Sequence, residues 1–178
     1  MAVAAFERAA LDQAALQPDQ SLWSEAARAK YASAKAERAG VPLALLRIER
    51  LHLLAPVFAG TDALTLNRGV GVVEGTRSPG EAGNIALSAH RDSFFRSLKD
   101  IAVGDPIELE TRRGLQRFRV AEIRIVDPLD VSVLDPSDST VLTLITCHPF
   151  YFVGYAPDRY VVRATLAQEE STRVRVGL

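Results

Sequence analysis

A chain of 178 residues, 48% hydrophobic and 24% charged, has the length for one well-cored domain and is short for two. A formal net charge of −1 gives no sign of a nucleic-acid footprint. A single cysteine excludes an intrachain disulfide but says little about compartment, because a lone thiol can be cytosolic or can be a catalytic thiol held outside.

The chain opens without a secretory signal: Met1-Ala-Val-Ala-Ala-Phe6 is too short, and Glu7 and Arg8 follow at once. Residues 3–39 are rich in Ala, Glu, Lys, Arg and Gln, which are good helix formers, and Pro18 splits the stretch. The second part predicts a helix over 21–38, with Ser21 or Ser24 as its cap and Gly40 and Pro42 marking its end. Its apolar positions are mostly alanine, with Leu22, Trp23 and Tyr31 as the large groups, so it is expected to bury little and to pack loosely or lead to an anchor. The most apolar stretch, 41–60, is interrupted by Arg47, Glu49, Arg50 and His52 and cannot fill a bilayer. The expected division is an alanine-rich helical extension over 1–40 and a separate domain over 41–178.

From Ala44 the period changes to two. Leu46 and Ile48 alternate with Arg47 and Glu49, and Ile107 and Leu109 with Glu108 and Glu110, as in half-buried strands. Over 115–126 the apolar parity switches between Phe118/Val120 and Ile123/Ile125, which predicts a bulge near Ala121-Glu122. Residues 93–99 read as a short helix. Residues 141–145 are apolar on nearly both parities and read as a central strand covered on both faces. Turns fall at Gly71, Pro79-Gly80, Gly104-Asp105-Pro106, Asp127-Pro128 and Asp135-Pro136. Many short strands with few helices predict a mostly β fold, closed or nearly closed into a barrel.

Three strand-like runs end or begin on reactive side chains: Asn84-Ile-Ala-Leu-Ser-Ala-His90, Val141-Leu-Thr-Leu-Ile-Thr-Cys147 and Arg159-Tyr-Val-Val-Arg-Ala164. Strand ends are rigid enough to aim a side chain and near enough to the surface to meet a substrate. A thiol nucleophile needs a proton partner, and its acyl intermediate needs a donor for the oxyanion. Free cysteine is otherwise often a small buried hydrophobe. Here Pro149 forces the backbone out of the sheet just beyond Cys147, which puts the thiol at a rim. Arg159, Val161 and Arg163 share one face of their strand; Tyr160, Val162, Ala164 and Leu166 share the other, taken as the core side. His148 points away from Cys147 if the strand persists, and His52 has no motif, so both read as structural. No Cys-x-x-Cys or His-x-x-x-His is present, and no metal is expected.

Thr143-Leu-Ile-Thr-Cys147 followed by an arginine, with a histidine upstream, resembles the sortases, the cysteine transpeptidases of bacterial surfaces. The resemblance runs from about Ala44 to about Ala167. It is closest to the class D branch in Leu66-Asn-Arg-Gly-Val70, His90-Arg-Asp92, Phe94-Phe95 and Cys147-His-Pro-Phe-Tyr-Phe-Val-Gly-Tyr-Ala-Pro157. Many sortases have Ala-Gly-His where this chain has Ser88-Ala89-His90. The resemblance implies an eight-stranded sortase-type β-barrel with short helices. It implies a triad of His90, Cys147 and Arg159, and a protein substrate with a Leu-Pro-x-Thr-Gly type sorting signal. It further implies an amine acceptor, no cofactor, and a membrane-anchored place on the extracytoplasmic face. The expectation is that the anchor has been removed from this chain and that Met1 is a supplied start.

Ser88, Leu134, Ile145, Thr146 and Tyr151 are the candidates for substrate contact. In sortases the segment equivalent to 127–139 grips the signal, which gives Leu129, Val131, Val133 and Leu134 a place in a groove. Phe150, Tyr151, Phe152 and Tyr155 read equally as a pocket wall or as a loop folded back on the barrel. Asp92 could orient the imidazole, although an aspartate starting a short helix is the plainer reading. Two alternatives stay open: a cysteine hydrolase with the same triad, and a non-catalytic β-barrel binding module.

Overall fold

The computed structural model describes residues 6, 8, 12, 17–37, 40–151 and 154–167. Its strands are β1 (Ala44–Ile48), β2 (Leu53–Ala59), β3 (Val70–Val72), β4 (Asn84–Ser88), β5 (Pro106–Thr111), β6 (Gly114–Val126), β7 (Val141–His148) and β8 (Asp158–Leu166). They close into a barrel in the order β1-β2-β3-β4-β7-β8-β6-β5, with β5 returning to β1. Closure leaves the sheet no open edge. The inward parity of the strands supplies the core, with Leu46, Ile48, Ile85, Leu87, Ile107, Leu109, Leu142, Leu144 and Val162 all fully buried.

The phase switch in β6 is a register shift between Val120 and Glu122. The bulge keeps Phe118 and Val120 in the core on one side and packs Ile123 against it on the other. β4 and β7 pair in parallel, from Asn84 opposite Val141 to Ser88 opposite Ile145. Both are buried on both faces over nearly their whole length, as parallel pairs usually are. At Gly69, just before β3, a Cβ would sit 2.5 Å from the Pro56 carbonyl oxygen, so the approach to β2 admits no side chain.

Several expectations need correction. The helix is α1 (Glu25–Lys35), capped by Ser24, whose Oγ accepts from Ala27 N; it stops at Lys35, five residues before Gly40. It is not loosely packed. Trp23, Ala27, Tyr31 and Ala34 are buried, and Trp23 and Tyr31 meet Phe94 edge-on at 4.7 and 6.0 Å. Such aromatic pairs contribute about 0.5–1.5 kcal/mol each beyond burial. Two large groups, Trp23 and Tyr31, next to small alanines therefore suffice, because the alanines let the helix approach closely, while Leu22 stays exposed.

Leu166 is exposed at the end of β8, and Val161 is buried despite sharing Arg159's parity. The outer face of β7 and β8 is thus partly covered. The helix expected over 93–99 is a 3-10 segment, Arg96–Asp100, preceded by turns. A second helix, α2 (Ala63–Arg68), starts at Asp62, whose carboxylate accepts from Thr65 N. Among the described residues no helix is long and apolar enough to cross a membrane.

Candidate active site

Cys147 sits at the end of β7 directly opposite Arg159 on antiparallel β8. On the other side of β7, the parallel register with β4 ends at Ser88 opposite Ile145. Beyond that pair, Ala89 N donates to Ile145 O at 3.3 Å and Thr146 Oγ donates to Ala89 O at 2.8 Å. His90 follows directly after Ala89, two residues past the end of β4. The three strand ends β4, β7 and β8 therefore bring imidazole, thiol and guanidinium to one rim of the barrel. Cys147 is a free thiol, half-buried, with a solvent path that the core residues lack.

His90 is half-buried, and that burial pushes its pKa below the ordinary 6.5, because the charged imidazolium loses solvation. The Asp92 carboxylate acts in the opposite direction, and the Lys30 ammonium of α1 adds to the lowering. Arg159 donates Nη1–H to the carbonyls of Asp158 at 3.0 Å and Ala156 at 3.4 Å. These bonds hold the guanidinium near the rim while leaving other N–H groups of its fork to donate.

The substrate-contact candidates divide. Ser88 and Ile145 are half-buried and paired with each other across β4 and β7, and Leu134 is half-buried at the end of a 3-10 segment, Val131–Leu134. Thr146 is 2% exposed with its hydroxyl spent on Ala89, so the side chain faces inward and joins two strands. Tyr151 is exposed, with the Arg96 guanidinium 4.1 Å from its ring centre. The aromatic loop is not of one kind: Phe150 is buried against Tyr160 at 5.0 Å, whereas Tyr151 and Tyr155 face outward. Phe152 lies outside the described residues. His148 stacks on Tyr160 at 6.0 Å, on the opposite side of β7 from the thiol, and His52 closes a 3-10 turn by donating N–H to Glu49 O. Both thus have structural places.

Sequence reading missed the polar supports. Asn84 is 2% exposed; its Nδ2 donates to the carbonyls of Val133 and Asp135, and its Oδ1 accepts from Thr143 Oγ at 2.7 Å. A buried amide with every bond accounted for pins the segment 127–140 over the outer face of β4 and β7. Within that segment Val133 is buried, whereas Leu129 and Val131 project outward. Arg91 Nη1 and Nη2 donate to Pro149 O and Gly154 O, and Arg96 Nη1 to Phe150 O. The signal was the presence of two arginines just after His90, but their partners are backbone carbonyls, which no residue pattern announces. Among the described residues no group of three or more His, Cys, Asp or Glu side chains is placed to hold a metal ion.

The sequence model of the sortase domain matches residues 46–167. The chain belongs to the sortase family. Among similar proteins, sortase D of Bacillus subtilis is 36% identical over 119 residues, which is 66% of this chain and 60% of that protein. Sortase A of Listeria monocytogenes is 33% identical over 95 residues, 51% of this chain and 42% of that one. The match thus spans 60% of the length of the first relative and 42% of the second, less than two thirds of either. The structure of a Clostridium perfringens sortase D5 transpeptidase superposes with a TM-score of 0.66 at 28% identity, covering 82% of this chain and 90% of that one. The matched region takes in the last three residues of β1, the whole of β2 to β8, and His90, Cys147 and Arg159.

Proposed function

We propose that this sortase is a cysteine transpeptidase that cleaves a C-terminal sorting signal of the Leu-Pro-x-Thr-Gly kind and transfers the acyl part to an amine. The observation that carries the reading is the pairing of Cys147 with Arg159 across β7 and β8, with His90 drawn to the same rim by the Thr146–Ala89 bond. The Cys147 thiolate attacks the carbonyl carbon after the signal's threonine. The oxyanion takes a hydrogen bond from Arg159. As the tetrahedral intermediate collapses, the C–N bond breaks and His90 gives its proton to the departing amine. An incoming amine then attacks the thioester, His90 takes up its proton, and the thiolate leaves.

In this reading Ser88, Ile145, Leu134 and the outward-facing Leu129 and Val131 line the path of the signal, and Tyr151 borders it. Thr146 acts by holding β4 to β7. The substrate is a surface protein, the acceptor an envelope amine, and the site of action the extracytoplasmic face of the membrane. The reaction draws on no cofactor.

The test is incubation with a panel of signal peptides, with and without added amine. An amide product with the amine, lost in Cys147→Ala and His90→Ala, supports the reading. Cleavage that ignores the amine at any concentration makes the protein a cysteine hydrolase. No cleavage, with a Cys147 inert to iodoacetamide in the folded state, makes it a binding module.

A further inference from the structure

The turn that follows His90 is gripped from outside the barrel. Ser24 donates Oγ–H to Asp92 Oδ2 at 2.8 Å and its backbone N–H to Asp92 O at 3.1 Å. The same Ser24 Oγ accepts from Ala27 N at 3.0 Å, so one hydroxyl both starts α1 and holds the aspartate. Two residues beyond Asp92, Phe94 lies buried against Trp23 and Tyr31 of the same N-terminal segment. The aspartate is therefore fixed at its carboxylate and at its carbonyl by a residue 68 positions earlier in the chain.

We propose that Ser24 and Asp92 are a positioning pair for His90, which makes α1 a working part of the active site and not a spacer. The inference rests on His90 being the proton donor. An imidazole half-buried at a strand end loses its proton easily, and a nearby carboxylate opposes that loss only while it stays in place. Left to itself, Asp92 would turn into water. The Ser24 bond denies it that rotation. The titratable and charged groups around His90 are Asp92 on its own turn, Lys30 on α1, and Cys147 and Arg159 at the ends of β7 and β8. Arg91 and Arg96, on the same turn, direct their donors to the carbonyls of the loop 149–154. Asp92 and Lys30 oppose one another, and α1 carries the lysine and, through its cap, holds the aspartate. α1 thus bears on both charged groups that act on His90, whose pKa is lowered first of all by burial.

The experiment is an NMR titration of the His90 ring in the whole chain, its resonance identified by loss in His90→Gln, run beside the pH profile of kcat/KM on a signal peptide. Asp92→Asn and Ser24→Gly are both expected to lower the His90 midpoint and, because less imidazolium is then present, to reduce kcat/KM at neutral and alkaline pH. The loss in kcat/KM at pH 8 is expected to be about tenfold, the low end for removing the partner that orients a metal-bound histidine. Glycine is nearly as good a helix cap as serine, so an effect of Ser24→Gly reports the Asp92 bond and not the helix start. Ser24→Thr, which keeps the hydroxyl, is expected to behave as wild type. An unmoved His90 midpoint in Asp92→Asn, or a Ser24→Thr no better than Ser24→Gly, overturns the pair. The titration needs no turnover: if the wild type cleaves no signal, the transpeptidase reading fails while the His90 midpoints still decide this one.

Discussion

Thr146 Oγ donates to the Ala89 carbonyl at 2.8 Å, and both residues are buried. The bond spans β4 and β7 just past the end of β4, one residue before His90 and one before Cys147. It sets the spacing of imidazole and thiol. Thr146→Val keeps the shape but leaves that carbonyl unpaired in the interior, at a cost of about 1–3 kcal/mol. The expected outcome is a lowered urea midpoint together with a larger loss of turnover than in Thr146→Ser, which retains the hydroxyl. Equal turnover in both variants would mean that the bond does not set the site.

Arg159 and Arg163 lie on one face of β8, four residues apart, or about 13 Å at 3.3 Å per residue. Only Arg159 is opposite the thiol. Arg159→Lys loses the planar fork and is expected to cost on the order of 10²–10³ in rate, whereas Arg163→Lys is expected to be mild. Steady-state kinetics on one signal peptide separate the two, and similar losses would reduce Arg159 to a generic surface cation.

The carbonyls of Pro149, Phe150 and Gly154 are tied to the turn after His90 through Arg91 and Arg96. Hydrogen bonds from charged groups contribute about 1.5–3 kcal/mol when buried, and solvent reduces this to about 1 kcal/mol at a half-exposed site. Arg91→Gln and Arg96→Gln are each expected to raise amide hydrogen exchange in the loop about fivefold, the factor that about 1 kcal/mol sets in an opening equilibrium. Unchanged exchange would show that the loop holds itself.

His90 has its pKa lowered by burial, so the folded protein binds the proton less readily than the unfolded chain does. Between the lowered value and the ordinary 6.5 the unfolded state carries more protons, and stability rises with pH across that window. Protonation below it weakens the fold. Chemical denaturation at a series of pH values is expected to show this slope in wild type and to lose His90's share of it in His90→Gln. The catalytic rate, which needs imidazolium together with thiolate, is expected to be bell-shaped against pH.

Much of the fold was legible because burial in a barrel imposes a period of two. Leu46/Ile48 and Ile107/Leu109 showed it plainly, and the parity switch after Val120 announced the β6 bulge. The ends of β7 and β8 were legible to within a residue from Cys147 and Arg159, whereas β4 stops at Ser88, two residues short of the His90 that the strand-like run ended on. What stayed hidden was long-range and polar. The alanines of α1 suggested a weak face, yet Trp23 and Tyr31 find Phe94 only once the chain has folded. Leu166 fits the inward parity of β8 but lies at the strand's end, where the barrel no longer covers it. The Asn84–Thr143 pair and the arginine bonds to carbonyls 149, 150 and 154 depend on which backbones pass nearby, a matter of topology and not of residue pattern.

The central claim is an acyl thioester on Cys147, and intact-protein mass spectrometry reads it most directly. A signal peptide mixed with enzyme and quenched in acid is expected to leave an adduct of the mass of its N-terminal part, mapped to Cys147, absent in Cys147→Ala and discharged by added amine. Peptide cleavage with no adduct at any quench time, or an undiminished rate in Cys147→Ala, would contradict the account.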